Sequence, residues 1–356
     1  MDITIIGAGN GANALGADLT LKGHKVRLLK TSNAKMHSEH FEYLLSNNGE
    51  IYLREDGEVK KTKLDFVTKK FEEAIISTTE LVIIFVQTNY HESVIKKISP
   101  FLLKNQIVLV EPGYLATPYF LECDRDDVIV VEAESSPIDC RINEPGYVDV
   151  LFRNVRNPIG IYPKEKSDLA MEKLKELSYN FKKLDSVIEA ALHNPNIIVH
   201  TVGAIMSIPR IEYSKGQYWM YKEVFTPSVW NIVETLDNEK KQILEALKLK
   251  PETYLDKCLY RNSDDLSKNS QEVFFDYAQN SSPEGPFVSN SRYITEDVSQ
   301  GLVLMEMLGN ILEIDLPVTS SLIDISSSAL NEDFRVTGRK YKNDLLRKFL
   351  KKNGAV

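Results

Sequence analysis

The chain has 356 residues, of which 43% are apolar and 26% charged, and its formal net charge is −8. This length predicts two domains, because a single hydrophobic core rarely grows beyond about 250–300 residues. The acidic balance argues against DNA or RNA as a partner, since neutralising phosphates requires a basic face. No apolar run reaches membrane-spanning length.

Three widely spaced cysteines, Cys123, Cys140 and Cys258, form neither a disulfide framework nor a zinc-ligand pattern. The sequence begins on the strand-like "DITIIG" without a basic and apolar leader. Both features favour the cytoplasm, and no cluster of residues with metal-ligand spacing predicts a metal.

Residues 2–30, "DITIIGAGNGANALGADLTLKGHKVRLLK", predict a dinucleotide-binding βαβ unit. An apolar strand runs into a glycine-rich turn, and an amphipathic helix and a second apolar strand follow. Small residues in the turn let the backbone approach a pyrophosphate, which the helix N-terminus favours. The predicted cofactor-binding residues of the turn are Gly7, Ala8, Gly9, Asn10, Gly11 and Ala12.

The end of the second strand bears on the choice of nucleotide. NAD sites usually carry an acidic residue there, which binds the ribose 2′-hydroxyl. This chain instead has "LKTSNAK" and no carboxylate before Glu39. Lys30, Thr31 and Ser32 are able to hold a 2′-phosphate, which favours NADP while leaving NAD possible. A solvated turn is the alternative interpretation of these three residues.

The alternation of strands and helices continues and predicts a Rossmann-type doubly wound parallel sheet. An inserted hairpin is predicted over residues 49–68, with Asp56-Gly57 as its turn. The further predicted strands are 80–88, 106–113, 127–133 and 155–163. The predicted helices between and after these strands are 89–102, a segment near Pro118–Cys123, and 164–180.

Polar residues at the carboxyl ends of these strands are candidates for the ligand cleft, because an open parallel sheet binds ligands at that edge. Each of them could equally be a loop residue that caps the next helix. The candidates are Gln87, Thr88, Asn89, Glu111, Gly113, Glu134 and Ser135. Gln87 and Thr88 are predicted to bind the cofactor, and Gly113 and Glu134 are predicted to bind the substrate.

Strand patterns give way to helical periodicity near Asp185, which predicts a Rossmann domain over 1–184 and an all-α substrate domain over 185–356. A Rossmann domain followed by an all-α substrate domain is a common architecture among dehydrogenases. The predicted helices are 185–193, 195–208, 215–222, 227–247, 251–259, 296–313 and 317–330.

Two histidines lie in "HNPNIIVHTVGAIM". Asn194-Pro195 predicts a helix start, which leaves His193 as a helix-entry residue and places His200 in the second turn. His200 shares a helix face with Asn196, Gly203, Ala204 and Ser207, so a ligand contact is expected there. The alternative interpretation is that His200 has only a structural role in the core.

"SRYITEDVSQGLVLMEML" predicts a long helix capped by Thr295, with Asp297 in its first turn. If this helix packs on that of His200, Asp297 can bond one imidazole nitrogen and orient an acid/base histidine. Arg292 precedes the helix and is suited to a substrate carboxylate. Alternatively, Asp297 only complements the helix dipole and Arg292 is its ion-pair partner.

Several of these stretches resemble the octopine/nopaline (opine) dehydrogenase family. They are "IIGAGNGANALGADLTLKGHKV", "NPNIIVH", "RYITEDV", "DLPVTSSLIDISSSALNEDFRVTGR" and, in divergent form, "EAESSPIDCR". The resemblance covers nearly the whole chain. The first stretch is also similar to glycerol-3-phosphate dehydrogenases, which use a catalytic lysine. No lysine lies between Lys183 and Lys215, which disfavours that family.

The resemblance implies that the enzyme condenses an amino acid with an α-keto acid such as pyruvate and reduces the imine with NAD(P)H. It implies His200 as the catalytic acid/base, Asp297 as its partner, and Arg292 as the keto-acid-binding residue. Possible dimerisation is a further expectation. The alternatives are a simple NADP-dependent reductase of 2-keto or 3-hydroxy acids, which needs the same residues, and a non-catalytic NADP-binding sensor.

Overall fold

A computed structural model describes residues 1–32, 35 and 37–352 of the chain. The chain forms two compact units, Met1–Ala190 and a second that begins at Ala191. The boundary expected from the sequence, between residues 184 and 185, lies a few residues earlier. None of the helices that the structure describes combines the length and the apolar character needed to cross a bilayer.

The first unit is built on an eight-stranded sheet with the strand order β12-β11-β8-β7-β6-β1-β2-β5. The predicted Rossmann-type sheet is confirmed, and β8, β7, β6, β1, β2 and β5 are parallel. The last predicted strand, β11, runs antiparallel to β8. These strands are β1 (Asp2–Ile6), β2 (Lys25–Leu29), β5 (Phe66–Thr68), β6 (Leu81–Ile84), β7 (Ile107–Val110), β8 (Ile129–Ala133), β11 (Asn157–Tyr162) and β12 (Phe181–Lys183).

Helices connect these strands as the alternation predicts, because parallel neighbours require crossover connections. Each of the central strands β6, β7 and β8 is buried along its whole length, which explains their continuous apolar sequence. The helices are α1 (Asn10–Leu21), α2 (Ser38–Ser46), α3 (Phe71–Ala74), α4 (His91–Ile98), α5 (Thr117–Glu122), α6 (Ser167–Leu174) and α7 (Val187–Leu192), with 3₁₀ turns at Thr88–Tyr90, Ser99–Phe101, Lys164–Lys166 and Lys175–Leu177.

A second, four-stranded sheet has the order β4-β3-β10-β9. The predicted hairpin is confirmed as β3 (Glu50–Glu55) and β4 (Glu58–Lys63), and its turn residues Asp56 and Gly57 have φ of 51° and 81°. The sequence analysis missed β9 (Ile138–Glu144) and β10 (Tyr147–Arg153), which extend this sheet. One face of the sheet contributes Ile51, Leu53 and Val148 to the core that contains α1.

The second unit is all-α, as predicted. Its elements are α8 (Asn196–Met206), α9 (Ile208–Ser214), α10 (Met220–Glu223), α11 (Pro227–Ala246), α12 (Tyr254–Asn262), α13 (Ser270–Asn280), α14 (Arg292–Thr295), a π-helix (Asp297–Leu302), α15 (Val303–Leu312), α16 (Pro317–Leu330), α17 (Phe334–Thr337) and α18 (Asn343–Lys352).

Three features of this unit differ from the sequence-based prediction. The helix expected over 215–222 is wrong, because Lys215 and Gly216 have φ of 54° and 85° and end α9 instead. Helices α9, α13 and α17 were missed. The helix expected over 296–313 is divided into a π-helix and α15 and is preceded by α14.

Candidate active site

The glycine turn after β1 has the backbone that a dinucleotide requires. Gly7 has φ of 132°, and a Cβ there would lie 2.0 Å from the carbonyl oxygen of Phe85, so only glycine fits. Gly9 is the N-cap of α1 and offers no side-chain cap to the first helical N–H groups. A Cβ on Gly9 would meet no atom within 4 Å. This uncapped helix end fits a pyrophosphate, whose oxygens accept hydrogen bonds from the free N–H groups.

The other turn residues are explained by packing inside the first unit. A Cβ on Gly11 would lie 2.2 Å from the ring of Phe85, so this glycine lets α1 approach the segment after β6. Ala8 and Ala12 are buried. The Asn10 side-chain oxygen accepts a hydrogen bond of 3.0 Å from the backbone N–H of Ile142 in β9.

The end of β2 carries buried positive charge. Lys30 is 7% exposed, and its ammonium lies 5.8 Å from the ring centroid of Phe41. Burial, followed by repulsion from Lys69, lowers the pKa of Lys30. Thr31 is half-buried and Ser32 exposed. Asn33 and Ala34 of the same run lie outside the described residues.

The candidates after β6 and β8 occupy different environments at the carboxyl edge of the sheet. Gln87 is half-buried and precedes a 3₁₀ turn in which Thr88 is buried and Asn89 exposed. Ser135 accepts a hydrogen bond of 3.3 Å from the side chain of Asn154. Glu134 is fully buried, and its backbone N–H donates to the carbonyl of Pro158 at 3.1 Å. The assigned roles of these residues stay predictions.

Two buried carboxylates near the end of β7 have opposite surroundings. Glu111 is fully buried, and neither of its oxygens has a hydrogen-bond partner among the described residues. Burial raises the pKa of Glu111 to about 8. By contrast, Glu132 accepts hydrogen bonds from the N–H groups of Ala116 and Thr117, both at 2.8 Å, and from the Thr117 hydroxyl at 2.6 Å.

Gly113 adjoins this second carboxylate. A Cβ on Gly113 would lie 2.4 Å from Oε2 of Glu132, and the Gly113 N–H donates to Ala133 at 2.9 Å. Packing against Glu132 therefore explains why residue 113 is glycine, and this packing was not predicted from the sequence. The substrate-binding role assigned to Gly113 stays a prediction.

In the second unit, His200 and Asp297 form the contact expected from the sequence. Nδ1 of His200 lies 2.8 Å from Oδ2 of Asp297. The side chains are 11% and 2% exposed, so the pair is largely shielded from water. A carboxylate oxygen at this distance accepts a hydrogen bond from an Nδ1–H group, and a neutral ring with that tautomer carries no proton on Nε2.

The sequence analysis missed a third member of this cluster. The ring of Tyr293 stacks on the imidazole of His200, with centroids 3.7 Å apart and planes inclined by 7°. Tyr293 is the first residue after Arg292 and is four residues from Asp297, so the signal was its helical spacing from the predicted aspartate.

Arg292 lies in the same helical turn. Its side chain is 56% exposed, and Nε lies 3.7 Å from Oε2 of the buried Glu296. Glu296 is thus one carboxylate neighbour of Arg292, a contact that the sequence did not predict. A guanidinium that is more than half exposed is accessible to a carboxylate from solution.

The local backbone around Asp297 differs from the predicted helix start. Thr295 is not an N-cap but the last residue of α14, which begins after Ser291. Asp297 therefore opens the π-helix instead of the first turn of a long α-helix. In the π-helix, the carbonyl of Ser299 accepts a hydrogen bond of 2.9 Å from the N–H of Arg339. A Cβ on Gly338 would lie 2.3 Å from that same oxygen, which explains why residue 338 is glycine.

The surroundings of His200 on α8 are more closely packed than expected. A Cβ on Gly203 would lie 2.7 Å from Sδ of Met220, and Ser207 accepts a hydrogen bond of 2.5 Å from the Tyr218 hydroxyl. Packing against Met220 and Tyr218 thus explains the small residues at these two positions, and the expected ligand contact of His200 stays a prediction. The Asn194 side chain accepts a hydrogen bond of 2.9 Å from the N–H of Asn196, as a helix N-cap does, and α8 itself begins at Asn196, one residue later than predicted.

His193 lies between α7 and α8, as predicted for a helix-entry residue. It is 3% exposed. Burial and, next, the nearby ammonium groups of Lys240 and Lys257 lower its pKa well below the ordinary value. An imidazole that stays neutral in this way is poorly suited to accept and return a proton during turnover.

Comparison with known proteins adds to this geometry. A family model described as "NAD/NADP octopine/nopaline dehydrogenase, alpha-helical domain" matches residues 183–330, which contain His200 and Asp297. A model described as "Ketopantoate reductase PanE/ApbA" matches residues 3–113. The opine dehydrogenase of Arthrobacter sp. (strain 1C) is 27% identical, over 94% of this chain and 92% of its own length.

Over residues 183–330, the chain thus matches the helical domain of the octopine/nopaline dehydrogenase family. It is thereby an NAD(P)-dependent oxidoreductase. Its fold agrees with that of octopine dehydrogenase solved with NADH and L-arginine, which has a TM-score of 0.72 at 18% identity and covers 95% of this chain and 93% of that one. Yersinopine dehydrogenase with NADP⁺ bound gives a TM-score of 0.72 at 16% identity, over 99% and 97% of the two chains.

Proposed function

We propose that this chain is an opine dehydrogenase, which joins the amine of an amino acid to the carbonyl carbon of an α-keto acid and reduces the product with NADPH. The observation that carries the proposal is the buried 2.8 Å contact between His200 and Asp297. Overall, amine, keto acid, NADPH and one proton give an N-(carboxyalkyl)amino acid, NADP⁺ and water.

The first unit holds the dinucleotide. Gly7, Gly9 and the uncapped start of α1 receive the pyrophosphate, and Lys30 with Thr31 and Ser32 receives the 2′-phosphate. The nicotinamide, when bound, supplies the hydride that reduces the imine carbon. The cation at the end of β2, where NAD sites usually have a carboxylate, supports the choice of NADP.

His200 acts as the acid/base through Nε2. In the condensation, the amine nitrogen bonds to the keto carbon, and Nε2 of His200 carries a proton from that nitrogen to the carbonyl oxygen, which becomes a hydroxyl. His200 donates a proton to this hydroxyl, which leaves as water, and the nitrogen–carbon double bond forms. Asp297 stabilises the charged imidazolium and holds the ring with Nε2 toward the reacting oxygen.

Arg292 holds the keto acid. Its guanidinium is exposed and suited to a carboxylate through two parallel hydrogen bonds, which fixes the adjacent carbonyl. Arg292→Ala is therefore expected to raise the KM for the keto acid by at least about tenfold, since a charge-assisted hydrogen bond contributes about 1.5–3 kcal/mol. Arg210 is a matched control, because it is 45% exposed and pairs with Glu223 in the same unit.

The test is the oxidation of NADPH and NADH with pyruvate, with and without a panel of amino acids. The proposal requires oxidation that depends on both the keto acid and an amine, and faster with NADPH. Lys30→Ala should raise the KM for NADPH but not for NADH, whereas Lys60→Ala, on the exposed strand β4, should change neither. Equal rates with and without every amine would contradict condensation.

A simple 2-keto or 3-hydroxy acid reductase is the second candidate. The match of residues 3–113 to the ketopantoate reductase model favours it. That match covers only dinucleotide-binding elements, whereas the segment that holds His200 matches the octopine/nopaline model. Oxidation supported by the keto acid alone would select this candidate, and tight nucleotide binding without any turnover would select a sensor.

We also propose a reducing, cytoplasmic setting, which the free thiols of Cys123, Cys140 and Cys258 support. Assembly as a homodimer stays a prediction, and light scattering in solution would test it.

A further inference from the structure

The imidazole of His200 is held on two of its sides by one short segment. Asp297 contacts its Nδ1 edge at 2.8 Å, and the Tyr293 ring covers one face at a centroid distance of 3.7 Å. The two residues are four apart in the chain, and the N–H of Glu296 between them donates to the carbonyl of Arg292 at 2.9 Å. This helical turn brings both side chains to the same side, as an i,i+4 spacing does.

We propose that Tyr293 is a positioning residue that fixes the plane of the His200 ring, so that Nε2 points at the reacting oxygen. The inference rests on the proposed acid/base role of His200 and adds a residue to it. Tyr293 acts through the imidazole, and the contact that carries the inference is the near-parallel stack with planes inclined by 7°.

A single hydrogen bond leaves one rotation of the imidazole open. The bond from Nδ1 to Asp297 restrains the ring, but the imidazole can still turn partly about its Cβ–Cγ bond, which moves Nε2 and bends that hydrogen bond. A proton leaves Nε2 in the plane of the ring, because the nitrogen lone pair lies in that plane, so a tilt misdirects the transfer. An aromatic ring packed flat against the imidazole removes this tilt without occupying either nitrogen.

The stack requires the ring of Tyr293 but not its hydroxyl group. Tyr293→Phe should therefore preserve the arrangement, and Tyr293→Leu should remove the flat surface while keeping an apolar side chain. We expect kcat to fall by about 2- to 10-fold in Tyr293→Leu, the range of an aromatic pair contact, and to stay near wild type in Tyr293→Phe. The KM for NADPH should stay unchanged in both variants.

A purely structural role for Tyr293 predicts a different result, and a spectroscopic measurement separates the two. The ¹⁵N chemical shifts of histidine-labelled protein report which ring nitrogen carries the proton, and the His200→Ala variant assigns the signal. Wild type and Tyr293→Phe should show His200 protonated on Nδ1 in the neutral form. Tyr293→Leu should show a mixture of the two tautomers, because the tilted ring loses alignment with Asp297.

Two results would overturn the proposal. One is a folded Tyr293→Leu variant that keeps both the wild-type kcat and the Nδ1 tautomer. The other is a Tyr293→Phe variant that loses as much kcat as Tyr293→Leu, which would assign the effect to the hydroxyl. Should Tyr293→Leu fail to fold by circular dichroism, Tyr293→Met gives the same comparison with a flexible side chain. Because the ¹⁵N measurement needs no substrate, it still tests the stack if His200→Ala keeps full activity and the proposed function fails.

Discussion

Replacing Asp297 by asparagine removes the charge that faces His200 and changes little in size. The contact is 2.8 Å long, and the Asp297 side chain is 2% exposed, so solvent screens it weakly. A hydrogen bond to a charged partner contributes about 1.5–3 kcal/mol. If that energy acts on the protonated imidazole during turnover, kcat falls by about 10- to 150-fold in Asp297→Asn.

The assay is steady-state NADPH oxidation with a saturating keto acid and amine, alongside dinucleotide binding measured by fluorescence. Binding should stay at the wild-type value, because the glycine turn belongs to the other unit. Asp276→Asn is the matched control, since this exposed carboxylate bonds only the side chain of Asn280 among the contacts described for it. A kcat within threefold of wild type, in a variant that folds normally, would refute the role of Asp297.

A double-mutant cycle adds an internal check. If Asp297 acts only through His200, the double variant His200→Ala with Asp297→Asn should be no slower than His200→Ala alone. Additive losses would show that Asp297 contributes independently of the imidazole.

Further predictions concern the first unit. Burial raises the pKa of Glu111 from its ordinary value of 4.5 to about 8, so between these pH values the folded chain retains a proton that the unfolded chain releases. The free energy of unfolding therefore falls by about 1.4 kcal/mol for each pH unit across this window. The urea midpoint of Glu111→Gln should therefore lie above that of the wild type at pH 8 and equal it at pH 4. Glu132→Gln weakens a helix cap and should lower the urea midpoint at both pH values. An unchanged midpoint for Glu111→Gln at pH 8 would contradict this reasoning. Gly7→Ala should lower the free energy of unfolding by at least about 2 kcal/mol, through backbone strain and steric overlap with the carbonyl oxygen of Phe85. Gly9→Ala should leave the free energy of unfolding unchanged but weaken NADPH binding. Equal effects in the two variants would refute these separate roles.

Continuous apolar runs and turn residues made much of the first unit predictable. Strands β6, β7 and β8 are buried on both faces, and the Asp56-Gly57 turn has the positive φ values that its residue types favour. Strand β9 was missed because its alternation of buried and exposed residues extends over only four positions, from Ile138 to Arg141. The antiparallel direction of β11 depends on pairing with β8, and a strand's own residues do not determine its direction.

The candidate site was predictable where residue types are specific to a chemistry. An imidazole, a carboxylate and a guanidinium in helical segments indicated His200, Asp297 and Arg292, and the first two are in contact. The π-helix was not predictable, because one extra residue per turn leaves no distinct periodicity over six residues. The stack of Tyr293 on His200 was also missed, since an aromatic residue next to a predicted site is more often part of a core.

The most direct test of the proposed condensation follows the hydride into the product. NADPH that carries deuterium at the transferred position is incubated with the enzyme, pyruvate and the amino acid that supports oxidation, and the products are analysed by mass spectrometry. The account predicts one product that contains both substrates less one water, plus one deuterium on the former keto carbon and one proton from solvent, and no such product with His200→Ala. Deuterated 2-hydroxy acid as the product, in equal amount with and without the amine, would contradict it.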